Sequence, residues 1–461
     1  MPQQPHRRLF SSIRRVLRTD PSEAITDAIP ILDDAWMLRA LDLAMRIGES
    51  MFAVGASAHE VTLAITRVAG AYGLEGVHVD VTYSSIAVSY HRGGEDWPHT
   101  LFRVVRVAAP DHTKLQRLQA LIVDITDGKD LEEARTRFRA IRRMPFRYKS
   151  PVVVIARALL AVGVSILAGG SAVLLGLTFV AALGAATTQA GLARLRVPSF
   201  FSQIAGAFVT TAVAVAVSAL ITAGFEPLTG VRPSIIVASG IVLMLSGLTV
   251  VGAAQDAIDG FALTAAGRIL DLTLQTVGLV VGILIGLELG SVLGFRMTLP
   301  DAPPAFGPLP NQLAGAVIVA IAVALFNGAG ARIIAVSGVL GAIAVLGHAF
   351  TVTLDLHEAA ASGVAALLAS FVGILVAHRL HVPSVAVTTA AIVPLVPGGA
   401  VFYGLLGVVQ ADAPGAGTSS LVLAASVAVG LAAGASLGIY LGTPVRATLA
   451  GVARSRARVR H

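Results

Sequence analysis

The 461-residue chain has no cysteine, which excludes a disulfide framework, thiolate chemistry and a cysteine-ligated metal site. Charge is scarce as well. Only 13% of residues are Asp, Glu, Lys or Arg, while 55% are hydrophobic; ordinary soluble domains carry about 25% charged residues. The deficit is uneven, since residues 1–150 hold 21 Lys/Arg and 18 Asp/Glu and the other 311 residues hold 13 and 9. A stretch of about 300 residues so thin in charge fits no single soluble fold. A secreted globular enzyme, a coiled coil, a disordered protein and a nucleic-acid-binding domain are therefore excluded as accounts of the whole chain. Met1–Leu17 holds no apolar run of signal-peptide length, so the N-terminus is expected in the cytoplasm. No G-x-x-x-x-G-K-[ST] loop occurs, so energy does not come from a built-in ATPase. His357-Glu358-Ala359-Ala360-Ala361 lacks the second histidine of a zinc protease motif. The net charge of +7 does not imply nucleic acid, because the excess arginine flanks apolar segments, where anionic lipid and topology account for it.

What is present, from Pro151 onward, is a series of long apolar runs with short polar breaks. They predict ten spans, at 152–170, 172–190, 200–223, 233–251, 273–295, 312–326, 333–350, 357–377, 384–409 and 419–443. Abundant Gly and Ala suit close helix packing in lipid. With the N-terminus inside, the inner segments carry 17 Lys/Arg and the outer loops only Arg232 and Arg296, which supports both the orientation and the even number of spans.

The hexapeptide Arg194–Ser199 reappears as Arg379–Ser384, but this offset would leave two spans without partners. A weaker match pairs better. Pro233-Ser234 leads into Ile241–Gly247 as Pro383-Ser384 leads into Ile392–Gly398, aligning span four with span nine. Five spans then match five, and an odd-numbered repeat inserts upside down. The expected fold is a polytopic α-helical membrane protein of about ten transmembrane helices, built as two inverted five-helix repeats, with an N-terminal cytoplasmic α/β domain. Its parts are a basic tail (1–32), the α/β domain (33–150), a first repeat (151–295), an external or periplasmic loop (296–311), a second repeat (312–443) and an Arg-rich cytoplasmic tail (444–461).

Within span nine, Pro394, Pro397, Gly398 and Gly399 predict a broken helix, because proline removes a backbone donor and clashes with the preceding turn. Irregular backbone at that depth survives where protein or a water-filled cavity satisfies it, and its free N–H groups suit a substrate carboxylate. A simple packing kink is the alternative. Ser246-Gly247 is the counterpart in span four. After span four, Gln255, Asp256 and Asp259 precede Arg268 and Asp271; Asp256 and Asp259 share a helical face and with Arg268 suit a zwitterion or a proton relay at an inner mouth. A solvated ion pair is the bland reading. Polar groups inside apolar spans default to functional candidates: Gln189, Gln203, Gln275, Glu288, Asn327, His348 and Glu358. His348 lies near Asp355, His357 and Glu358, where a group titrating near neutrality could exchange protons with the outside. An interfacial histidine bonded to a carbonyl is equally compatible.

In the first third, periodicity predicts helices over 33–52 and 58–71, the second with a Ser57/Glu60 capping box. Strands follow over 77–81 and 86–90 around Tyr83-Ser84-Ser85, a third over 100–107, and helices over 111–126 and 130–143. His59, Glu60, His78 and Asp80 have ordinary structural readings there.

The order of these parts is similar to that of the threonine/serine exporter family of bacterial inner membranes. The resemblance covers about residues 35 to 445 and is carried by Gly55–Val61, the Val77–Tyr90 hairpin, Gln255–Gly260 and Pro394-x-x-Pro397-Gly398. It implies export of small hydroxy amino acids driven by the proton motive force, as a proton antiporter, with no enzymatic activity and no cofactor. Alternating access between the halves is the expected mechanism. Asp256, Asp259 and Arg268 would receive the substrate, the backbone at Pro397–Gly399 would meet its carboxylate, and Asn327 and Gln189 would read its hydroxyl. Asp256, Asp259, Glu288, His348 and Glu358 are the proton-coupling candidates. The expected partners are an amino-acid substrate, protons and membrane lipid, with homo-oligomerisation open and nucleic acid excluded. A passive facilitator for small polar solutes, a carrier of another zwitterion and a regulatory role for the first third are the competing readings.

Overall fold

The computed structural model describes residues 34–92, 97–105, 110–228, 230–245, 247–295, 297, 306–380, 382–410 and 416–459. The basic tail 1–32, Ser246, Arg296, Asp301, His381 and most of the 296–311 loop lie outside the described residues.

The N-terminal elements form as their caps and periodicities dictate. Helix α1 (Asp34–Ala53) precedes α2 (Ala58–Ala71), which opens at Ser57. The Ser57 hydroxyl accepts the Glu60 N–H while the Glu60 carboxylate accepts the Ser57 N–H, so two orphan donors are satisfied reciprocally. Strands β1 (His78–Val81), β2 (Ser85–Tyr90) and β3 (His99–Val104) pair antiparallel in that order, with His78 opposite Ser89 and Ser85 opposite Val104. Along β2, alternation turns Ile86, Val88 and Tyr90 inward. Helices α3 (His112–Thr126) and α4 (Leu131–Arg143) start at the capping carboxylates of Asp111 and Asp130. Met37, Leu41, Ile47, Ile65, Ile86, Leu115 and Leu121 meet in one fully buried core, where each contributes about 1.5–3 kcal/mol.

The rest of the chain is helical: α5 (Ser150–Leu167), α6 (Ala172–Arg194), α7 (Ser199–Thr222), α8 (Pro233–Met244), α9 (Gly247–Ile258), α10 (Ala262–Val292), α11 (Leu309–Phe326), α12 (Ala331–Val352), α13 (Glu358–Leu380), α14 (Ser384–Ile392), α15 (Gly398–Gln410) and α16 (Ala416–Val459). Among the described residues eight helices are long and apolar enough to cross a membrane, and α8 with α9 and α14 with α15 form bent pairs, giving up to ten crossings if each pair is one span. These bounds follow the expected runs closely except in two places, and at one of them α16 continues past residue 443 to Val459, through the segment read as the Arg-rich tail. At the other, the segment read as an inner loop after span four is a helical hairpin, α9 reaching Ile258 and α10 starting at Ala262 rather than near 273. Arg268 and Asp271, too polar to read as span, belong to the first turns of α10 because the N-terminal elements cover them.

Each half of the bundle uses the same neighbours. In 150–292, α5 packs on α6, α6 on α7, α7 on α10, and α8 against α5, α6 and α7. In 309–459, α11 packs on α12, α12 on α13, α13 on α16, and α14 against α11, α12 and α13. The halves join where α5 packs on α11 and where α9 meets α16 and α15 meets α10. Close approach comes from glycine. On α10, a methyl added at Gly278, Gly282, Gly286 or Gly290 would lie 2.3–2.8 Å from α7; on α16, one added at Gly430, Gly434, Gly438 or Gly442 would lie 2.0–2.5 Å from α13. Both stripes repeat every four residues, so each presents one helical face without side chains and lets backbones touch.

The N-terminal elements sit on one end of this bundle, the proximal face, and they hold the turns of both halves. The Ala58 N–H at the head of α2 donates to Asp256 Oδ1 at 3.3 Å, and the Thr264 hydroxyl donates to the Val81 carbonyl at 3.0 Å. On the other half, the His112 N–H at the head of α3 donates to the Asn327 carbonyl at 2.8 Å, the Thr113 hydroxyl donates to the Gly328 carbonyl, and the Tyr148 hydroxyl donates to the Ala329 carbonyl at 2.7 Å. Gly328 adopts φ +74°, and a Cβ there would meet the Phe146 ring at 2.8 Å; both facts require glycine in that turn.

Candidate functional site

Two broken helices meet in the middle of the bundle. In the second half, α14 tightens into a 3-10 turn over Val393–Leu395, Val396 turns extended (φ −67°, ψ 133°), and α15 restarts at Gly398 with a 50° bend. Pro394 and Pro397 lack the N–H groups that would carry the helix through, and the residue before a proline is disfavoured in the helical region, which Val396 leaves while Val393 stays in it. In the first half, Leu245 is extended (φ −75°, ψ 117°) and α8 bends 45° into the following helix. A Cβ added to Gly398 would lie 3.9 Å from the Leu245 Cβ, so the two breaks face each other. Around them Val401, Phe402, Tyr403 and Leu406 of α15 share a buried cluster with Ile241, Met244 and Leu245.

The polar residues fall into three groups. The first is a ladder of amides beside the α8 break. Gln203 Nε2 donates to the Met244 carbonyl at 3.0 Å and to Gln275 Oε1 at 3.4 Å, while its oxygen accepts Gln189 Nε2 at 3.0 Å. Gln275 Nε2 then donates to Asp271 Oδ2 at 2.8 Å, and the Asp271 carboxylate lies beside the Tyr83 hydroxyl. Burial and the Asp271 carboxylate both raise the pKa of that hydroxyl, so it remains a donor.

The second group lies at the proximal face. Asp256 is 0% exposed, with Oδ2 2.8 Å from Arg268 Nε and Oδ1 held by the Ala58 N–H. The Arg268 guanidinium reaches past Gly252, where a methyl would sit 3.0 Å away, and lies over the Phe52 ring at 6.0 Å. Asp256 and Asp259 do not act as one face: Asp259 is exposed. Gln255, half-buried, contributes its carbonyl to the Asp259 N–H. Asn327, 2% exposed, caps the end of α11 directly beneath α3 and does not sit within the span.

The third group lies at the opposite, distal end. His348 Nε2 is 3.0 Å from Glu358 Oε1, and the Phe306 ring packs edge-on against the imidazole at 6.1 Å. Glu288 is exposed on α10, one turn from its end.

Sequence reasoning passed over Arg157, whose guanidinium lies 5.8 Å over the Phe326 ring. It also missed Ser239 on α8 and Tyr403 on α15, whose hydroxyls are buried without a hydrogen-bond partner. A polar atom alone in an apolar run is their only signal, and an unpaired buried hydroxyl is costly enough to ask for a ligand. Among the described residues no three His, Asp or Glu side chains are grouped to hold a metal ion.

These features define a multi-pass helical membrane protein organised around two opposed helix breaks. The chain belongs to the threonine/serine exporter family: a family model described as "Putative threonine/serine exporter" matches residues 42–290, and one described as "Threonine/Serine exporter, ThrE" matches residues 312–440. Such proteins are multi-pass bacterial membrane transporters, not enzymes. The chain is 32% identical over 430 residues to a "Probable threonine/serine exporter" of Mycobacterium tuberculosis, covering 90% of this chain and 78% of the relative. It is 30% identical over 454 residues to the "Threonine/serine exporter" of Corynebacterium glutamicum, covering 95% of this chain and 90% of the relative. No solved structure matches the chain.

Proposed function

We propose that this protein exports threonine and serine across the bacterial plasma membrane, driven by the proton motive force through alternating access between two inverted five-helix repeats. The observation that carries the reading is the meeting of the two helix breaks, with Gly398 against Leu245. Broken spans at a repeat interface offer N–H ends to a carboxylate and free carbonyls to an ammonium, which are the groups of a zwitterion. The repeat reading draws on three facts. Neighbour relations in 150–292 reappear in 309–459, the glycine stripes lie 152 residues apart at every step, and two family models divide the chain between Gly290 and Gln312.

In this reading the substrate carboxylate meets the start of α15 at Gly399, the Gly398 N–H being donated to the Val396 carbonyl, and its hydroxyl meets Tyr403 or Ser239. Gln189 acts from outside this space, through Gln203, and Asn327 secures the proximal turn. The Asp256–Arg268 pair closes the cytoplasmic end while the His348–Glu358 pair closes the outer end, so each end holds a titratable pair that opening would separate. In this reading the N- and C-termini lie in the cytoplasm, which the arginine distribution supports.

Labelled threonine efflux from proteoliposomes tests the reading. An imposed pH gradient should drive uphill threonine movement. Flux that merely equilibrates would establish a passive facilitator, and no flux of threonine within a panel of amino acids would establish a carrier of another solute.

A further inference from the structure

We propose that Gln203 is a positioning residue of the transport site, and that Gln275, Asp271 and Tyr83 tie its amide to the N-terminal elements. The proposal rests on reading the opposed breaks as the substrate site. A helix that stops at Met244 leaves that carbonyl without the donor a continuous helix supplies four residues on. Gln203, buried on α7, supplies it instead at 3.0 Å. With Gln189 donating to its oxygen and Gln275 accepting its second N–H, every hydrogen-bonding group of this amide is engaged. It therefore has a single orientation, fixed by α6 and α10, and it holds the Met244 carbonyl in a defined direction. A carbonyl has two lone pairs. Gln203 takes one and leaves the other for the cationic end of a substrate, the role that unwound carbonyls play in broken spans.

The outer end of the ladder is equally fixed. Tyr83 sits in the turn between β1 and β2, pressed on α10 at Gly267, where a methyl would come within 2.5 Å of the Tyr83 Cβ. The neighbouring Val81–Thr264 bond holds the same turn one helical turn earlier. Asp271, Gln275 and Gln203 thus form a hydrogen-bonded run to the broken backbone, and Tyr83, packed on Gly267 with its hydroxyl beside Asp271, joins that run to the hairpin. In surroundings of low dielectric, a lost member leaves its neighbour unpaired and free to turn. Docking of the hairpin therefore sets substrate affinity at the break.

The test uses the full chain in proteoliposomes and reads KM and kcat for labelled threonine in Gln203→Leu, Tyr83→Phe, the double variant and Gly398→Val. Gln203→Leu should raise KM about tenfold and Tyr83→Phe about threefold with kcat nearly kept. The double variant should match Gln203→Leu alone, because both cut one chain. A fall in kcat at constant KM, or effects that multiply in the double variant, overturns the proposal. If Gln203→Leu does not fold, Tyr83→Phe decides, since it removes one hydroxyl outside the spans; an unchanged KM there overturns the proposal. An unchanged KM in Gly398→Val as well would overturn the site reading itself.

Discussion

Asp256 carries a carboxylate into a place closed to water, and its two oxygens are used by Arg268 and by the head of α2. Removing one partner of such a pair leaves a buried charge. Arg268→Met should therefore cost about 3–5 kcal/mol, read as a fall in melting temperature of the detergent-purified protein, and adding Asp256→Asn should recover most of it. Two other residues give opposite pH dependences. Burial pushes Glu60 up to about 7 from its ordinary 4.5, so the folded state binds its proton more tightly. The stability this brings is complete below about pH 4.5 and disappears as pH rises through about 7. Glu60→Gln keeps the capping oxygen and should flatten the melting profile across that window. Burial pushes His112 down to about 4 from 6.5, so its contribution is complete above about pH 6.5 and lost as pH falls through about 4; His112→Leu should remove that acid-side loss. The types and positions of these residues are plain in the sequence, and the capping box of Glu60 was legible from its spacing. That residue 58 reaches residue 256, and 112 reaches 327, was not. Contacts across about 200 residues leave no trace in local periodicity.

At the scale of elements, the two helix breaks differ in how openly the sequence writes them. Pro394 and Pro397 announce the second, because a missing N–H is a property of the residue itself. The first has no proline and depends on Leu245 turning extended where Gln203 can receive the Met244 carbonyl. Pro397→Ala restores the missing donor and frees Val396 to become helical, so it should slow threonine flux by about tenfold by removing the restart of α15; flux equal to wild type would make the break a packing kink. The glycine stripes were visible as composition, but their four-residue spacing on α10 and α16 gained meaning only against α7 and α13. Gly434→Leu would drive a side chain into the Gly363 carbonyl, 2.0 Å from where a first methyl would lie. It should destabilise the folded protein by about 1–3 kcal/mol or more, measured by thermal unfolding in detergent.

The whole molecule joins a helical bundle to N-terminal elements that hold one turn of each half, at Asp256–Thr264 and at Asn327–Ala329. Halves that rock against each other must change at least one of these attachments. Because the chain lacks cysteine, a pair introduced as Tyr83→Cys and Gly267→Cys, whose Cβ atoms would lie against each other, is the sole thiol pair available. Oxidation should join it and reduce threonine flux by about tenfold or more, and reduction should restore the flux of the unjoined variant; unaltered flux in the joined state would show that the hairpin stays docked throughout. Single cysteines also test the orientation. In intact cells, a membrane-impermeant maleimide should label Gly224→Cys and spare Arg196→Cys.

Apolar length and proline placement marked out eight to ten membrane-spanning helices and one of the two breaks from the sequence alone, because spanning a bilayer and losing a backbone donor are local requirements. The scarcity of charge showed where polar groups would matter. Only the tertiary structure decided what those groups do. It turned an inner loop into a helical hairpin, paired Asp256 with Arg268 and left Asp259 outside. It also set Asn327 beneath α3 and strung three glutamines into one ladder. Each of these depends on which helix faces lie together, and in a bundle apolar on nearly every face, packing through glycine rather than hydrophobic periodicity makes that choice.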